Sequence, residues 1–159
     1  MWKEKGTKFL IQSAVIAAVY AALTLMLIPF SYGVMQIRVS EALTILPYFT
    51  PAAVPGLFVG CLLANLMGPN GVVDMALGSM ATLLAAWASY KLRNRPALVP
   101  LPPVITNALI IGPMLYYVYG VPVPLWACVL WVGLGELIAC YAIGLPLLKY
   151  LSKRENIFK

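Results

Sequence analysis

The sequence predicts an all-α integral membrane bundle of six helices, the second of them short, with both termini cytoplasmic. Three observations predict it. Hydrophobic residues make up 62% of the chain and charged residues 10%, against about half and about a quarter in soluble domains. The apolar residues gather into runs near the ~20 residues that cross a bilayer. The bases flank those runs: Lys3, Lys5 and Lys8 at the start, Lys91, Arg93 and Arg95 in one loop, and Lys149, Lys153, Arg154 and Lys159 at the end. That placement follows the positive-inside rule. Residues 1–159 are therefore read as a single transmembrane domain with no soluble lobe. The net charge of +6 sets orientation and faces anionic lipid; no nucleic-acid partner is expected.

The first run, residues 9–28, ends at Pro29 and is too long for the apolar core of a signal peptide. Along it Ala14, Ala18 and Ala22 recur every four residues, with Ala17 and Ala21 beside them. Spacing of four puts each set on one helix face, where small residues admit a close partner helix. Alanine is also simply common in membrane helices, and spacing alone does not separate the two readings. Residues 30–38 form a loop, and a short helix follows from Arg38 or Val39 to Tyr48. As an α-helix it reaches only about 18 Å, short of the ~30 Å hydrocarbon core.

Residues 51–67 make a fuller span, with prolines near its start, where they are tolerated. Gly68-Pro69-Asn70-Gly71 is a strong turn signal. Residues 72–90 form the next span, entered through Asp74 and closed by the Lys91–Arg95 loop. Pro96, Pro100, Pro102 and Pro103 delay the fifth helix until about residue 102. It runs to Tyr119 with a kink expected at Pro113. After Gly120-Val121-Pro122-Val123-Pro124 the last helix runs from about 123 to Leu151.

Parity decides whether residues 38–50 cross. If they do not, the Lys91–Arg95 loop falls on the opposite side from the N-terminal lysines. If they do, every dense basic cluster shares one side. The crossing arrangement is adopted, with Arg38 and Glu41 at the outer rim.

No phosphate-binding glycine loop, metal cluster or Ser-His-Asp set is present, and histidine is absent. An enzyme is not expected, nor a cofactor in this chain. Cys61, Cys128 and Cys140 sit in apolar runs and read as small buried side chains. What remains is a set of polar groups at membrane depth, which are costly and usually functional or paired. Asn107 and Glu136 come to similar depth on the fifth and sixth helices and are read as the floor of an outward-open pocket. Gly133 is read as leaving space beside the Glu136 carboxylate. Such a carboxylate accepts parallel N–H bonds from a guanine-type edge. Trp131 is read as a stacking wall; Trp126, Tyr116 and Tyr117 are either further walls or, with Tyr119, an interfacial belt. Asn107 either meets ligand or bonds a neighbouring helix. Asp74, with Asn70 just before it, either meets ligand or caps its helix. Arg38 and Glu41 either pair across one helical turn or touch ligand.

The stretch Gln36-Ile37-Arg38-Val39-Ser40-Glu41-Ala42-Leu43-Thr44, continued by Leu46-Pro47-Tyr48-Phe49-Thr50-Pro51-Ala52-Ala53-Val54-Pro55-Gly56 and on to Asn65, resembles the QueT family. The later Gly68-Pro69-Asn70-Gly71-Val72-Val73-Asp74 turn also resembles it. The resemblance implies the substrate-binding (S) component of an energy-coupling factor (ECF) transporter in the cell membrane. Its implied ligand is a queuosine precursor, a deazaguanine-type base such as preQ0, preQ1 or queuine. Its implied partners are a membrane coupling protein and two ATPase subunits, which use the ATP. The implied docking face is Ala14, Ala18 and Ala22, with Ala17 and Ala21 as the other register. The implied motion is tilting of the loaded subunit within the membrane. A stand-alone proton-coupled permease, or an S component for another flat heterocyclic ligand, is the alternative.

Overall fold

The computed structural model describes residues 2–32 and 37–154, with side chains from residue 6 onward. Residues 33–36 of the expected outer loop, the Lys3 and Lys5 side chains and Lys159 lie outside the described residues. All of the regular structure described is helical. Helix α1 (Trp2–Met26) gives way at Leu27 to a short turn, α2 (Ile28–Ser31), with Pro29 in its first turn. There the missing N–H is harmless, whereas inside α1 the proline ring would clash with the preceding turn.

Next comes a 3₁₀ helix, Val39–Tyr48. The sequence places these bounds but predicts an α-helix. Runs of 3₁₀ beyond three or four residues are uncommon. This one is buried on most of its circumference, with Pro47 inside it, so packing rather than propensity holds it. The tighter winding has a longer rise, about 2 Å per residue, which stretches ten residues to about 20 Å.

Helices α3 (Ala53–Met67), α4 (Gly71–Lys91) and α5 (Leu101–Tyr117) follow. The last rod is composite: α6 (Leu125–Leu137), a π segment (Ile138–Gly144) and α7 (Leu145–Ser152). The sequence carries no signal for the π segment. Around the bundle α1 packs on α3, α3 on α4, α4 on α5 and α5 on α6, while the 3₁₀ helix packs on the π segment, α4 and α1. The two irregular segments thus face each other inside a wall of α-helices.

The α1–α3 contact is unusually close. A Cβ added at Gly60 would sit 2.8 Å from Tyr20 Cβ and 2.9 Å from the Ala17 carbonyl, and one at Gly56 2.8 Å from the Ser13 carbonyl. Only glycine permits that approach. The contact separates the two alanine registers: Ala17 and Ala21 are buried, while Ala14, Ala18 and Ala22 are exposed.

Polarity is inverted relative to a water-soluble protein. Leu10, Met26, Leu66, Val72, Leu109 and Trp126 are exposed, while Thr24, Glu41, Asn65, Asp74, Asn107 and Glu136 are buried. Four helical segments, Gly6–Met26, Gly71–Lys91, Pro96–Tyr117 and Leu125–Ser152, are long and apolar enough to cross a membrane. A continuous apolar surface of this kind fits lipid and not water. These are the marks of a multi-pass membrane protein.

The two ends of the bundle differ in charge. At one end Thr50 donates to the Gln12 side chain at 3.0 Å, Ser13 donates to the Ala52 carbonyl at 2.9 Å and Ser89 to the Val99 carbonyl at 2.7 Å. Lys91, Arg93 and Arg154 lie there over Trp87, Tyr90 and Tyr150 at 5.6, 4.2 and 5.2 Å from the ring centres. At the other end Tyr32 donates to the Ala64 carbonyl at 2.7 Å and Tyr119 to the Asn70 carbonyl at 2.8 Å. Among the described residues, Arg38 alone supplies positive charge at that end. The 3₁₀ helix runs from this end, at Arg38, to the basic end, beside Thr50.

Candidate functional site

Apart from Ser89 and Thr50 at the basic end, most of the buried polar groups gather around the 3₁₀ helix. This polar body begins where that helix starts. Arg38 is the N-cap residue, in extended conformation, and its side chain turns back across the end of the bundle. Its Nε donates to the Ser31 carbonyl at 3.2 Å, and its Nη2 meets Asp74 Oδ2 at 3.0 Å. Arg38 also lies 5.1 Å from the centre of the Tyr32 ring. Asn65 on α3 donates to the Asp74 carbonyl at 3.0 Å and to Cys61 Sγ at 3.3 Å. Gly78 makes room for this: a Cβ there would meet the Asn65 amide nitrogen at 2.7 Å. Asn70 reaches Asp74 Oδ2 at 3.4 Å. Burial pushes the Tyr32 phenol up to about 12 against the opposing pull of Arg38, so it stays a neutral donor.

Arg38 and Glu41 do not form an ion pair; this corrects one reading of the sequence. Because Arg38 precedes the first helical residue, the neighbour relation of positions three apart does not apply. Glu41 points the other way, to α1, where the Tyr20 hydroxyl donates to its Oε1. One residue earlier, Ser40 Oγ and Thr24 Oγ1 are 2.6 Å apart. Thr82 on α4 also lies against Glu41. Nor do Arg38 and Glu41 sit at a rim: they are 4% and 1% exposed. Asp74 does not cap its helix; Asn70 holds the N-cap position, without a side-chain capping bond.

Deeper in, Asn107 on α5 donates to Glu136 Oε1 at 2.8 Å, so the two lie at similar depth and Asn107 bonds a neighbouring helix. Cys140 in the π segment donates to Glu136 Oε2 at 3.5 Å and lies 3.6 Å from the Glu41 carbonyl. It links the two carboxylate regions. Gly133, expected to open space beside Glu136, instead faces Ala108. Trp131 precedes Glu136 by five residues, which is about 140° around an α-helix; it is half-buried and on another face. Tyr116, Tyr117 and Trp126 are exposed, the two tyrosines edge to face at 5.0 Å. Their exposure fits an interfacial belt rather than walls of the polar body.

Four buried side-chain atoms have no hydrogen-bond partner among the described residues: Glu41 Oε2, Asp74 Oδ1, Ser79 Oγ and Ser31 Oγ. An unsatisfied buried acceptor costs about 1–3 kcal/mol, more if charged. Two of the four are carboxylate oxygens, and Asp74, Ser79 and Thr82 are all buried on α4. N–H donors satisfy carboxylate oxygens of this kind. The sequence reading missed Tyr20, Ser79, Thr82, Cys61 and Cys140 as parts of this site. Ser79 and Thr82 are three apart on the Asp74 helix, which is a signal; Tyr20 carries none.

A family model described as QueT transporter matches residues 10–153. A curated relative from Lactococcus lactis subsp. cremoris (strain MG1363), named queuosine precursor transporter QueT, is 32% identical over 84 residues, 52% of this chain and 49% of the relative. The chain thus spans about half the length of the curated relative it matches. No solved structure matches it.

Proposed function

Because this chain belongs to the QueT transporter family, we propose that it is the substrate-binding (S) component of an ECF transporter in the cell membrane. It binds a queuosine precursor, a deazaguanine-type base such as preQ0, preQ1 or queuine, from outside. One observation carries the ligand class: buried carboxylate oxygens on Glu41 and Asp74 without partners, in a body that also holds Arg38, Asn107 and Glu136. The guanine-type edge of such a base supplies the matching N–H donors.

Its energy comes from partners, a coupling protein and two ATPases that use ATP. The exposed Ala14, Ala18 and Ala22 face is the docking surface for the coupling protein, since the Ala17 and Ala21 register is already occupied by α3. Six crossings with cytoplasmic termini are supported by the gathering of basic clusters at one end and by the 3₁₀ helix joining both ends. Cells holding this chain together with such a module should take up labelled precursor in an ATP-dependent way. Equal uptake by the chain alone would refute the energetic part, and no uptake with any precursor would refute the ligand class.

A further inference from the structure

We infer that Tyr20 is a positioning residue that presents Glu41, rather than Glu136, as the acceptor for the exocyclic amine of the ligand. The inference rests on the proposed deazaguanine-type ligand. The two buried glutamates differ in what they have left to offer. Both oxygens of Glu136 are engaged, Oε1 by Asn107 at 2.8 Å and Oε2 by Cys140 at 3.5 Å. Glu41 has Oε1 engaged by Tyr20 and Oε2 without a partner. A carboxylate held by one oxygen has a fixed plane and a free second oxygen, as recognition of a planar donor edge requires.

Tyr20 is itself locked. It is fully buried, and its Cβ faces Gly60 so closely that no side chain fits between them. Thr24 donates to the Tyr20 carbonyl at 2.9 Å and meets Ser40 at 2.6 Å, which ties α1 to the residue before Glu41. Two rungs therefore join α1 to the 3₁₀ helix, and one of them aims the carboxylate. Across from it, α4 presents Thr82 against Glu41 and, one turn earlier on the same buried face, the unpartnered Ser79 hydroxyl.

A contact with the exocyclic amine makes a specific statement about selectivity. The purified chain is titrated calorimetrically with 7-deazaguanine and with 7-deazahypoxanthine, which lacks the 2-amino group. The intact chain should prefer 7-deazaguanine by about 10- to 100-fold, the range for one hydrogen bond to a buried charge. Tyr20→Phe, which frees Oε1 and unlocks the carboxylate, should bring the ratio of the two affinities towards one. A merely structural role for Tyr20 would lower both affinities together and leave the ratio, and that result would overturn the inference. Equal binding of both bases by the intact chain would overturn it while leaving the proposed ligand class standing. Binding of neither base would overturn the ligand class and the inference with it. Should Tyr20→Phe fail to fold, Glu41→Gln decides: it keeps the side-chain shape, a collapsed ratio supports the contact, and an unchanged ratio overturns it.

Discussion

Arg38 and Asp74 meet at 3.0 Å inside the protein, 4% and 0% exposed, across a separation of 36 residues. The pair fastens the start of the 3₁₀ helix to the first turn of α4 and leaves Asp74 Oδ1 without a partner. Removing one member strands the other charge. Asp74→Leu and Arg38→Met should each cost about 3–5 kcal/mol. The double variant should cost much less than their sum. Unfolding in detergent measures all three.

The two alanine registers of α1 should separate stability from partner binding. Gly60→Ala places a methyl against Tyr20 and should destabilise the chain by about 1–3 kcal/mol through overpacking. Ala18→Leu, on the exposed face, should leave stability and ligand affinity unchanged. It should weaken capture of the coupling protein and lower ATP-dependent uptake. Melting, titration and co-purification of both variants check this.

The two glutamates should not be equivalent. Glu41→Gln should weaken binding of a deazaguanine-type base by about tenfold or more, the size of one charge-assisted hydrogen bond. Glu136→Gln keeps an acceptor for Asn107 and should cost about threefold or less. The sequence alone gives Glu136 the larger part; the prediction here rests instead on each Glu136 oxygen holding a partner while Glu41 Oε2 holds none.

Tyr32 should leave a mark on stability at high pH. Its phenol is raised from 10.0 to about 12 by burial, so folding favours the protonated form. That contribution is fully present below pH 10 and is lost as the pH rises towards about 12. Between those limits stability should fall more steeply in the intact chain than in Tyr32→Phe, measured by melting across the range.

Much of the fold is legible because membrane helices announce themselves by length and punctuation. Pro29, Gly68-Pro69-Asn70-Gly71 and Gly120-Val121-Pro122 stand at the breaks, and the bounds of the 3₁₀ helix follow from Arg38 and Tyr48. Its winding is not legible, because burial on nearly all sides decides it rather than intrinsic preference. The π segment likewise depends on packing against that helix. In the site, Asn107 and Glu136 are found by counting depth along two adjacent helices. The partner of Arg38 is not, since a pattern along the chain does not say which polar faces converge across it. Tyr20 is hidden for the same reason, as one aromatic in a row of small residues.

A structure of the chain with a bound deazaguanine-type base tests the role of Glu41 most directly. The donor edge of the base should lie within hydrogen-bond distance of Glu41 Oε2, between α1, the 3₁₀ helix and α4, with Tyr20 still on Oε1. A base held instead among Tyr116, Tyr117 and Trp126, with Glu41 untouched, would contradict that role.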